Sequence, residues 1–281
     1  MIQLNVKVPS KYRLLPGYRI RRNIPENWQE VSKKQLLGYC RAQRLAESDA
    51  QLRILAARYM LALPWWLFYI INKFMLARVT YELRWLLTEP LMDNKLPRLR
   101  VRLTKLYGPD SHFANVRFAE FSVACTYYQA YMDSQSTDVL NYLIATIYRP
   151  KADNARPDSP DKRIPFEQHH LSERVRIVRR LSAEKKLAVL LYFAGCMAEL
   201  ALRYPLLFSG GGTDARDVIG SSKPSSDWLD FIRHLPADKF GSLEHIENSL
   251  IHPVMEVANR MMADAKKEKA NQRRQHRSRY T

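Results

Sequence analysis

Glycine and cysteine are scarce in this chain. Only nine of its 281 residues are glycine, which argues against a β-sandwich and against a fold whose glycine-rich loops bind nucleotides. The three cysteines, Cys40, Cys125 and Cys196, lie far apart inside apolar helical patterns. Their spacing fits neither a metal site nor a disulfide framework, and it favours a reducing cytosol.

Catalytic sequence patterns are also missing. The chain contains no P-loop, no GxGxxG after a strand, no HExxH and no CxxC. The run Gly210-Gly211-Gly212 has no strand leading into it, so we interpret it as a flexible linker and not as an anion cradle. We therefore predict no enzymatic activity and no cofactor.

Long hydrophobic runs are absent as well. The uncharged run between Arg58 and Lys73 has fourteen residues and includes Pro64 and Asn72, whereas a membrane span needs roughly 18–20 apolar residues. The first residues alternate apolar and polar side chains and lack the apolar core of a secretion signal. We expect a cytoplasmic protein without a membrane partner.

A tryptophan-rich stretch at residues 59–87 stands out among the segments that are present. It holds three of the five tryptophans and is apolar nearly all the way round a helix. Such a helix has to be enclosed by others, so we predict that it forms the buried centre of a helical domain, with Pro64 in its first turn. A helix lying on a membrane surface through Trp65-Trp66 is the alternative.

Two segments show the period of β-strands. Ile2, Leu4, Val6 and Val8 alternate with polar residues, and Leu99, Val101 and Leu103 alternate with arginines. We predict that these two strands pair in a small two-stranded sheet, since a lone strand leaves its backbone unsatisfied. The arginine face of the second strand is either a solvated surface or an anion-binding one.

The remaining segments predict a mainly α protein, a helical bundle beside the small sheet. Ser32 and Ser48 each precede a glutamine by three residues, as in a capping box. We expect a helical core domain with the sheet over residues 1–208, a flexible linker over 209–226, short helices over 227–270 and a disordered basic tail over 271–281.

Two groups of side chains contain residue types that could bind a metal or act in acid–base catalysis. His169-His170 lies near Glu167 and Glu173, but neighbouring histidines on an α-helix point about 100° apart and share a metal poorly. We therefore interpret them as a polar helix face and predict no metal site. The acids of the proline-rich loop, Asp153, Asp158 and Asp161, are interpreted as solvated, with no catalytic role.

The net charge of +17 predicts an anionic partner, namely nucleic acid, an acidic protein or a membrane surface. Residues 265–281 hold seven lysines and arginines against one glutamate. The residues that we predict to contact this partner are Arg98, Arg100, Arg102, Lys266, Lys267, Arg273, Arg274 and Arg277. A solubilising disordered end is the alternative for the tail.

Several segments resemble a group of mostly helical proteins of tailed phages and prophages, encoded among late virion genes near tail-tube and tape-measure genes. These segments are LTEPLMDNKLPRL, LYGPDSHFANVRFAEF, VLNYLIATIYRPK, RIPF and LLYFAGCMAEL. The landmarks within them are Tyr107-Gly108-Pro109, Glu120-Phe121, Tyr148-Arg149-Pro150, Arg163 and Phe166. The resemblance implies a role in making the particle, and it implies no catalytic residues. For Tyr-Gly-Pro and Tyr-Arg-Pro we expect a packing role.

The leading hypothesis is a non-enzymatic factor of virion assembly, most specifically of the tail, that binds a structural protein in the cytoplasm of the bacterial host. Grooves between its helices would hold segments of that partner, and its cationic body would match an acidic surface. A basic nucleic-acid-binding protein of a mobile element is the alternative. A protein that binds a membrane surface through the Trp65-Trp66 region is the third.

Overall fold

The computed structural model of the chain describes residues 2–7, 19–153, 161–208 and 243–278. The prediction of a mainly helical fold with a small antiparallel sheet is confirmed. The strands and α-helices are β1 (Ile2–Lys7), β2 (Arg19–Ile24), α1 (Lys33–Leu45), α2 (Asp49–Met60), α3 (Trp65–Ile70), α4 (Lys73–Glu82), β3 (Arg98–Val101), β4 (Thr104–Tyr107), α5 (Phe118–Ser134), α6 (Thr137–Ile147), α7 (Leu171–Val178), α8 (Ala183–Arg203), α9 (Pro205–Phe208), α10 (Leu243–Asn248) and α11 (Ile251–Ser278). Short 3-10 helices cover Trp28–Glu30, Leu83–Leu87, Ser111–Phe113 and Gln168–His170.

The chain forms two compact units. Unit 1 comprises residues 1–96 and 182–192, and unit 2 comprises residues 97–181 and 193–281. The stretch 1–208, which the sequence predicts to be one domain, therefore divides between the units, and α8 contributes residues to both. Apolar periodicity marks which residues are buried but not the neighbours that bury them. The predicted linker at 209–226 lies outside the described residues.

Each strand pairs with the next strand along the chain. β1 is antiparallel to β2, from Ile2 opposite Ile24 to Lys7 opposite Arg19, and β3 is antiparallel to β4. The predicted pairing of the N-terminal strand with the strand near residues 98–104 is therefore wrong. Local hairpins close much shorter loops, which costs less chain entropy.

In unit 1, α1 and α2 start where the sequence predicts. The Ser32 side chain accepts from the backbone N–H of Gln35, whose own side chain accepts from the Ser32 N–H, so α1 has a complete capping box. The Ser48 side chain likewise accepts from the N–H of Gln51, but the Gln51 side chain accepts from the N–H of Glu47, so the box at α2 is incomplete. The two helices pack closely because Gly38 has no side chain: a Cβ there would lie 2.5 Å from Cδ1 of Tyr59.

The tryptophan-rich stretch of unit 1 is not a single buried helix, and this prediction is wrong. α2 ends at Met60, α3 is a separate helix of six residues, and α4 follows it after a break at Ile71. Proline explains the first break, since Pro64 lacks an N–H and disfavours a helical Leu63 before it. The second break occurs where the side chain of Asn72 caps α4 by accepting from the N–H of Phe74 at 3.0 Å.

The buried centre of unit 1 is formed instead by three aromatic residues from distant parts of the sequence. Trp28 and Trp85 pack edge to face with ring centroids 5.2 Å apart, and Tyr39 packs against Trp28 at 5.7 Å. The indole N–H of Trp28 donates to the carbonyl of Glu89 at 2.8 Å, and that of Trp85 donates to the carbonyl of Pro25 at 3.1 Å. Polar ring atoms are thus satisfied in the core.

Unit 2 packs around a second aromatic group. Phe113, Phe121 and Tyr128 all contact Phe193, with ring centroids 5.2–6.4 Å apart. α5 and α6 are joined by a turn in which Gln135 takes a left-handed conformation, with φ of 51°, and ends α5.

The last described helix, α11, extends further than the sequence predicts. It continues to Ser278, whereas a disordered tail was expected from residue 271. Alanine, lysine, glutamine and arginine dominate this region, and all four favour helix even without an apolar face to bury. Lys267 and Asp264, which lie about one turn apart, form a salt bridge at 4.0 Å that adds slightly to the stability of the helix.

Candidate functional site

Four of the described aromatic side chains on α3 and α4 of unit 1 are open to solvent. They are Trp65, Tyr69, Phe74 and Tyr81, with 47%, 79%, 83% and 61% of their surface exposed. The sequence predicted that Trp65 is enclosed, so this expectation is wrong. Trp65 and Tyr69 lie one turn apart on α3, and their rings stack with centroids 6.1 Å apart. We call these four residues the aromatic surface.

Two arginines lie against the aromatic surface. The guanidinium of Arg58 stacks over the ring of Trp65, with its carbon 3.6 Å from the ring centroid. The guanidinium of Arg84 lies 4.7 Å from the centroid of Tyr81 and donates to the Tyr81 hydroxyl at 2.9 Å. Cation–π contacts of this kind hold exposed rings in place and add positive charge to an apolar surface.

The aromatic surface has the composition of a binding site for another macromolecule. Each large aromatic side chain offers roughly 150–250 Å² of contact area. Tryptophan, tyrosine and arginine are the residues most enriched among those that dominate the binding energy of protein interfaces. The stacked rings of Trp65 and Tyr69 lie together on α3, and exposed apolar patches mark interaction sites on proteins.

The arginine stripe of unit 2 lies on the β3–β4 hairpin. Arg98 and Arg100 are exposed while Leu99 and Val101 are buried, so the predicted alternation is confirmed for these residues. Leu103 departs from the pattern: it lies in the turn and is 93% exposed. Arg102 precedes it with φ of 51°, the left-handed conformation that tight hairpin turns require.

The hairpin also carries Lys105, which was not among the predicted contacts with an anionic partner. Arg100 pairs in register with Lys105, and both side chains are exposed. Like charges directly opposite each other destabilise a sheet. Arg98, Arg100, Arg102 and Lys105 therefore form a cationic surface that an anion would stabilise, and we call it the cationic hairpin.

The other predicted contacts with an anionic partner lie on α11. Lys266 and Lys267 are exposed. Arg273, Arg274 and Arg277 belong to the helical part of the backbone, and their side chains lie outside the described residues. At 28 residues, this helix is about 42 Å long at the usual rise of 1.5 Å per residue.

The strongest electrostatic feature of unit 2 is a buried cluster of charges. Glu120 on α5 is completely buried and binds two arginines: Oε2 lies 2.7 Å from Nη2 of Arg149, and Oε1 lies 2.8 Å from Nη1 of Arg163. Asp161 contacts both arginines as well, at 3.1 Å from Arg149 and 2.7 Å from Arg163. We call Glu120, Arg149, Asp161 and Arg163 the buried charge cluster.

Backbone carbonyls complete the buried charge cluster. Arg163 donates to the carbonyls of Ile147 and Asn115, and Arg149 donates to that of Ile164. Each guanidinium thereby links α5, the end of α6 and the segment that follows residue 160. The interpretation of Asp161 as a solvated loop residue is wrong, because this carboxylate closes the cluster.

Burial sets the direction of the pKa shifts of Glu120 and Arg149. It raises the pKa of Glu120 above its ordinary value, and the charges of Arg163 and Arg149 oppose this rise. It lowers the pKa of Arg149 to about 10. Nε of Arg149 has no hydrogen-bond partner among the described residues. The charges of this cluster are buried and paired with one another. We therefore interpret it as a structural ion-pair network that holds segments of the fold together.

The cysteines are buried too. Burial raises the pKa of the Cys40 thiol to about 12 and that of Cys125 well above its ordinary value. Reactive cysteines require the opposite, a lowered pKa and access to solvent. These two thiols therefore serve as small core residues.

A partial signal for the buried charge cluster is present in the sequence. Glu120 lies within the apolar run that contains Phe118, Phe121 and Cys125, where an acid that is buried needs an internal partner. Arg149 belongs to Tyr148-Arg149-Pro150, for which we expected a packing role, and Arg163 was only a landmark of the resemblance. Nothing in the sequence pairs these three residues, because they are up to 43 positions apart.

No helix in the described part of the chain has both the length and the apolar character needed to cross a membrane. Comparison with protein-family models, curated proteins and solved structures finds no match to this chain.

Proposed function

We propose that this chain is a non-enzymatic phage or prophage protein that acts in virion assembly, most specifically of the tail, by binding a structural protein of the particle. The binding takes place in the cytoplasm of the bacterial host. The aromatic surface on α3 and α4 carries this proposal, and the resemblance of the segments around Tyr107-Gly108-Pro109 and Tyr148-Arg149-Pro150 supplies the phage context.

The exposure of these aromatic residues supports a binding role. Neither Tyr69 nor Phe74 is needed to fill a core, as 79% and 83% of their surfaces are exposed. Exposed aromatic area destabilises a free monomer in water and favours association. An occupant with apolar side chains and an acidic rim would match both the rings and the flanking Arg58 and Arg84.

The chemistry of the interior supports a role other than catalysis. The described acid with a raised pKa, Glu120, is fully enclosed by its arginines. The thiols of Cys40 and Cys125 are protonated and buried. General acid–base or nucleophilic work needs such groups within reach of a substrate.

Co-expression with candidate tail proteins tests the proposal. The full chain should co-purify with one of them, and the double variant Tyr69→Ser/Phe74→Ser should lose it. Leu103→Ser is the matched control, since it removes an equally exposed apolar side chain from unit 2. The proposal fails if the complex survives in the double variant or if no tail protein is retained by the native chain.

Flotation with lipid vesicles examines the membrane alternative for the same surface. We expect the native chain to stay with the unbound fraction. Binding to anionic vesicles that depends on Tyr69 and Phe74 would assign the aromatic surface to lipid and would overturn its assignment to a protein partner.

Nucleic-acid binding is the second candidate function, and the cationic hairpin favours it. Arg100 and Lys105 face each other at a cost in stability that neighbouring phosphates would remove. Binding of this kind weakens steeply between about 50 and 200 mM salt. Retention on DNA that is unaffected by Arg98→Glu/Arg100→Glu, or by salt, would exclude this function for the hairpin.

A further inference from the structure

Three side chains with metal-binding atoms converge immediately before α7. Nε2 of His169 and Nε2 of His170 each lie 3.3 Å from the same oxygen, Oε2 of Glu167. One ligand atom from each residue falls within 4.8 Å of the other two, and all three side chains are exposed.

Glu167 precedes a 3-10 turn and lies three residues before His170, a spacing at which two side chains share one side of such a turn. Glu167 is extended, with φ of −132° and ψ of 124°, and Gln168–His170 forms one turn of 3-10 helix before α7 begins. The sequence predicted an α-helix here, in which adjacent side chains diverge by about 100°. The imidazole rings instead lie side by side, with their centroids 4.0 Å apart.

The separations match those within a metal coordination sphere. A tetrahedral zinc ion with bonds of about 2.0–2.1 Å to imidazole nitrogen and carboxylate oxygen places its ligand atoms about 3.3–3.4 Å apart. Both histidine–glutamate separations have this value. The ligand atoms of the two histidines lie within 4.8 Å of each other, so the three groups are close enough to share one ion.

We propose that Glu167, His169 and His170 bind a first-row divalent cation, with zinc as the expected ion. Two imidazoles and one carboxylate suit zinc, cobalt and nickel, whereas magnesium and calcium prefer an all-oxygen set. Three protein ligands leave a fourth position, which faces solvent and takes water or a side chain of a bound molecule.

A buried side chain supports the backbone of this site. Arg174 on α7 is 4% exposed, and its Nη2 donates to the carbonyl of Glu167 at 3.1 Å. Its Nε donates to the carbonyl of Ala145 at 3.1 Å, which anchors the guanidinium on α6. Glu167 is thereby held beside the turn that carries the two histidines. The site is independent of the assembly function proposed above.

Titration of the full chain with zinc chloride, followed by calorimetry, tests the site. We expect one equivalent of zinc to bind to the native protein and to the control His245→Ala, which removes a histidine from α10. Glu167→Gln should weaken binding at least about tenfold, because loss of even an outer-shell partner costs 10–100-fold in affinity. His169→Ala/His170→Ala should abolish this equivalent.

Two further readouts separate this site from other metal ligands. Cobalt bound here should show the visible d–d bands of nitrogen and oxygen ligands without thiolate charge transfer, because the described cysteines are buried. Zinc should raise the melting temperature of the native chain but not that of the double variant. The proposal is overturned if the double variant binds zinc like the native chain, or if the native chain binds none.

Discussion

Unit 1 and unit 2 depart from the usual distribution of side chains in opposite directions. Unit 1 exposes large aromatic residues on α3 and α4, up to 83% for Phe74. Unit 2 encloses an acid and two arginines in the buried charge cluster, with Glu120 completely inaccessible to water. The exposed rings of unit 1 do not contribute their full hydrophobic stabilisation to the fold. The buried charges of unit 2 lose their hydration.

The two departures have different physical consequences. An enclosed ion needs every partner in place, so the buried charge cluster constrains the chain on all sides and tolerates little change. An exposed ring depends on few internal contacts, so the aromatic surface is free to change without loss of the fold. Stability should therefore be most sensitive to single substitutions in the buried charge cluster of unit 2, and binding to substitutions of the rings of unit 1.

Removal of the central acid should have the largest effect. Glu120→Ala leaves the guanidiniums of Arg149 and Arg163 buried without their main partner, and we expect the free energy of unfolding to fall by about 3–5 kcal/mol. Urea denaturation followed by circular dichroism measures the loss. Where this variant does not fold, Asp161→Asn offers a milder test of the same contacts.

The control for this experiment is Glu256→Ala. It breaks the exposed salt bridge to Arg260, whose partners are 55% and 73% exposed, and we expect it to cost less than about 1 kcal/mol. Equal losses from Glu120→Ala and Glu256→Ala would show that burial adds nothing, and the contrast between the units would disappear.

Substitution of a buried tryptophan in the tryptophan-rich stretch of unit 1 should reduce the free energy of unfolding by an intermediate amount, and substitution of an exposed one should have little effect. Trp85→Phe removes a hydrogen bond to the carbonyl of Pro25 and leaves a cavity beside Trp28, so we expect a loss of about 1–3 kcal/mol. Trp65→Phe, at a site 47% exposed, should stay within about 0.5 kcal/mol. Thermal unfolding of both variants makes the comparison, and a larger loss at Trp65 would contradict it.

Variants of the aromatic surface should have the smallest effect on stability. We expect the free energy of unfolding of Tyr69→Ser/Phe74→Ser to lie within about 1 kcal/mol of that of the native chain, because a substitution at each exposed site changes it by no more than about 0.5 kcal/mol. The same variant should lose the co-expressed tail protein. A marked destabilisation would mean that these rings belong to the fold, and loss of binding would then carry no information about the surface.

Local features of the fold could be predicted from the sequence. The serine caps of α1 and α2 were predictable because a cap and its partner lie three residues apart. The alternation of Arg98, Leu99, Arg100 and Val101 was predictable because one strand determines it. In each case the physical cause and its effect lie within one turn or one strand.

The errors arose where the cause lies elsewhere in the chain. An apolar stretch with Trp65 and Trp85 looks uniformly buried, but only Trp85 meets Trp28, which is 57 positions earlier in the sequence. Asp161 looks solvated in its proline-rich loop, but Arg149 and Arg163 bring it inside. The rings of His169 and His170, which were expected to point apart on an α-helix, lie 4.0 Å from each other beside Glu167.

The close approach of Gly38 to Tyr59 has a consequence for the evolution of unit 1. A methyl group at position 38 would lie 2.5–2.7 Å from three atoms of the Tyr59 side chain, nearer than real contacts allow. Gain of a side chain at 38 must therefore coincide with loss of volume at 59. Descendants of a common ancestor should vary at these two positions together, and the defect of Gly38→Ala should be relieved by Tyr59→Ala in the same chain.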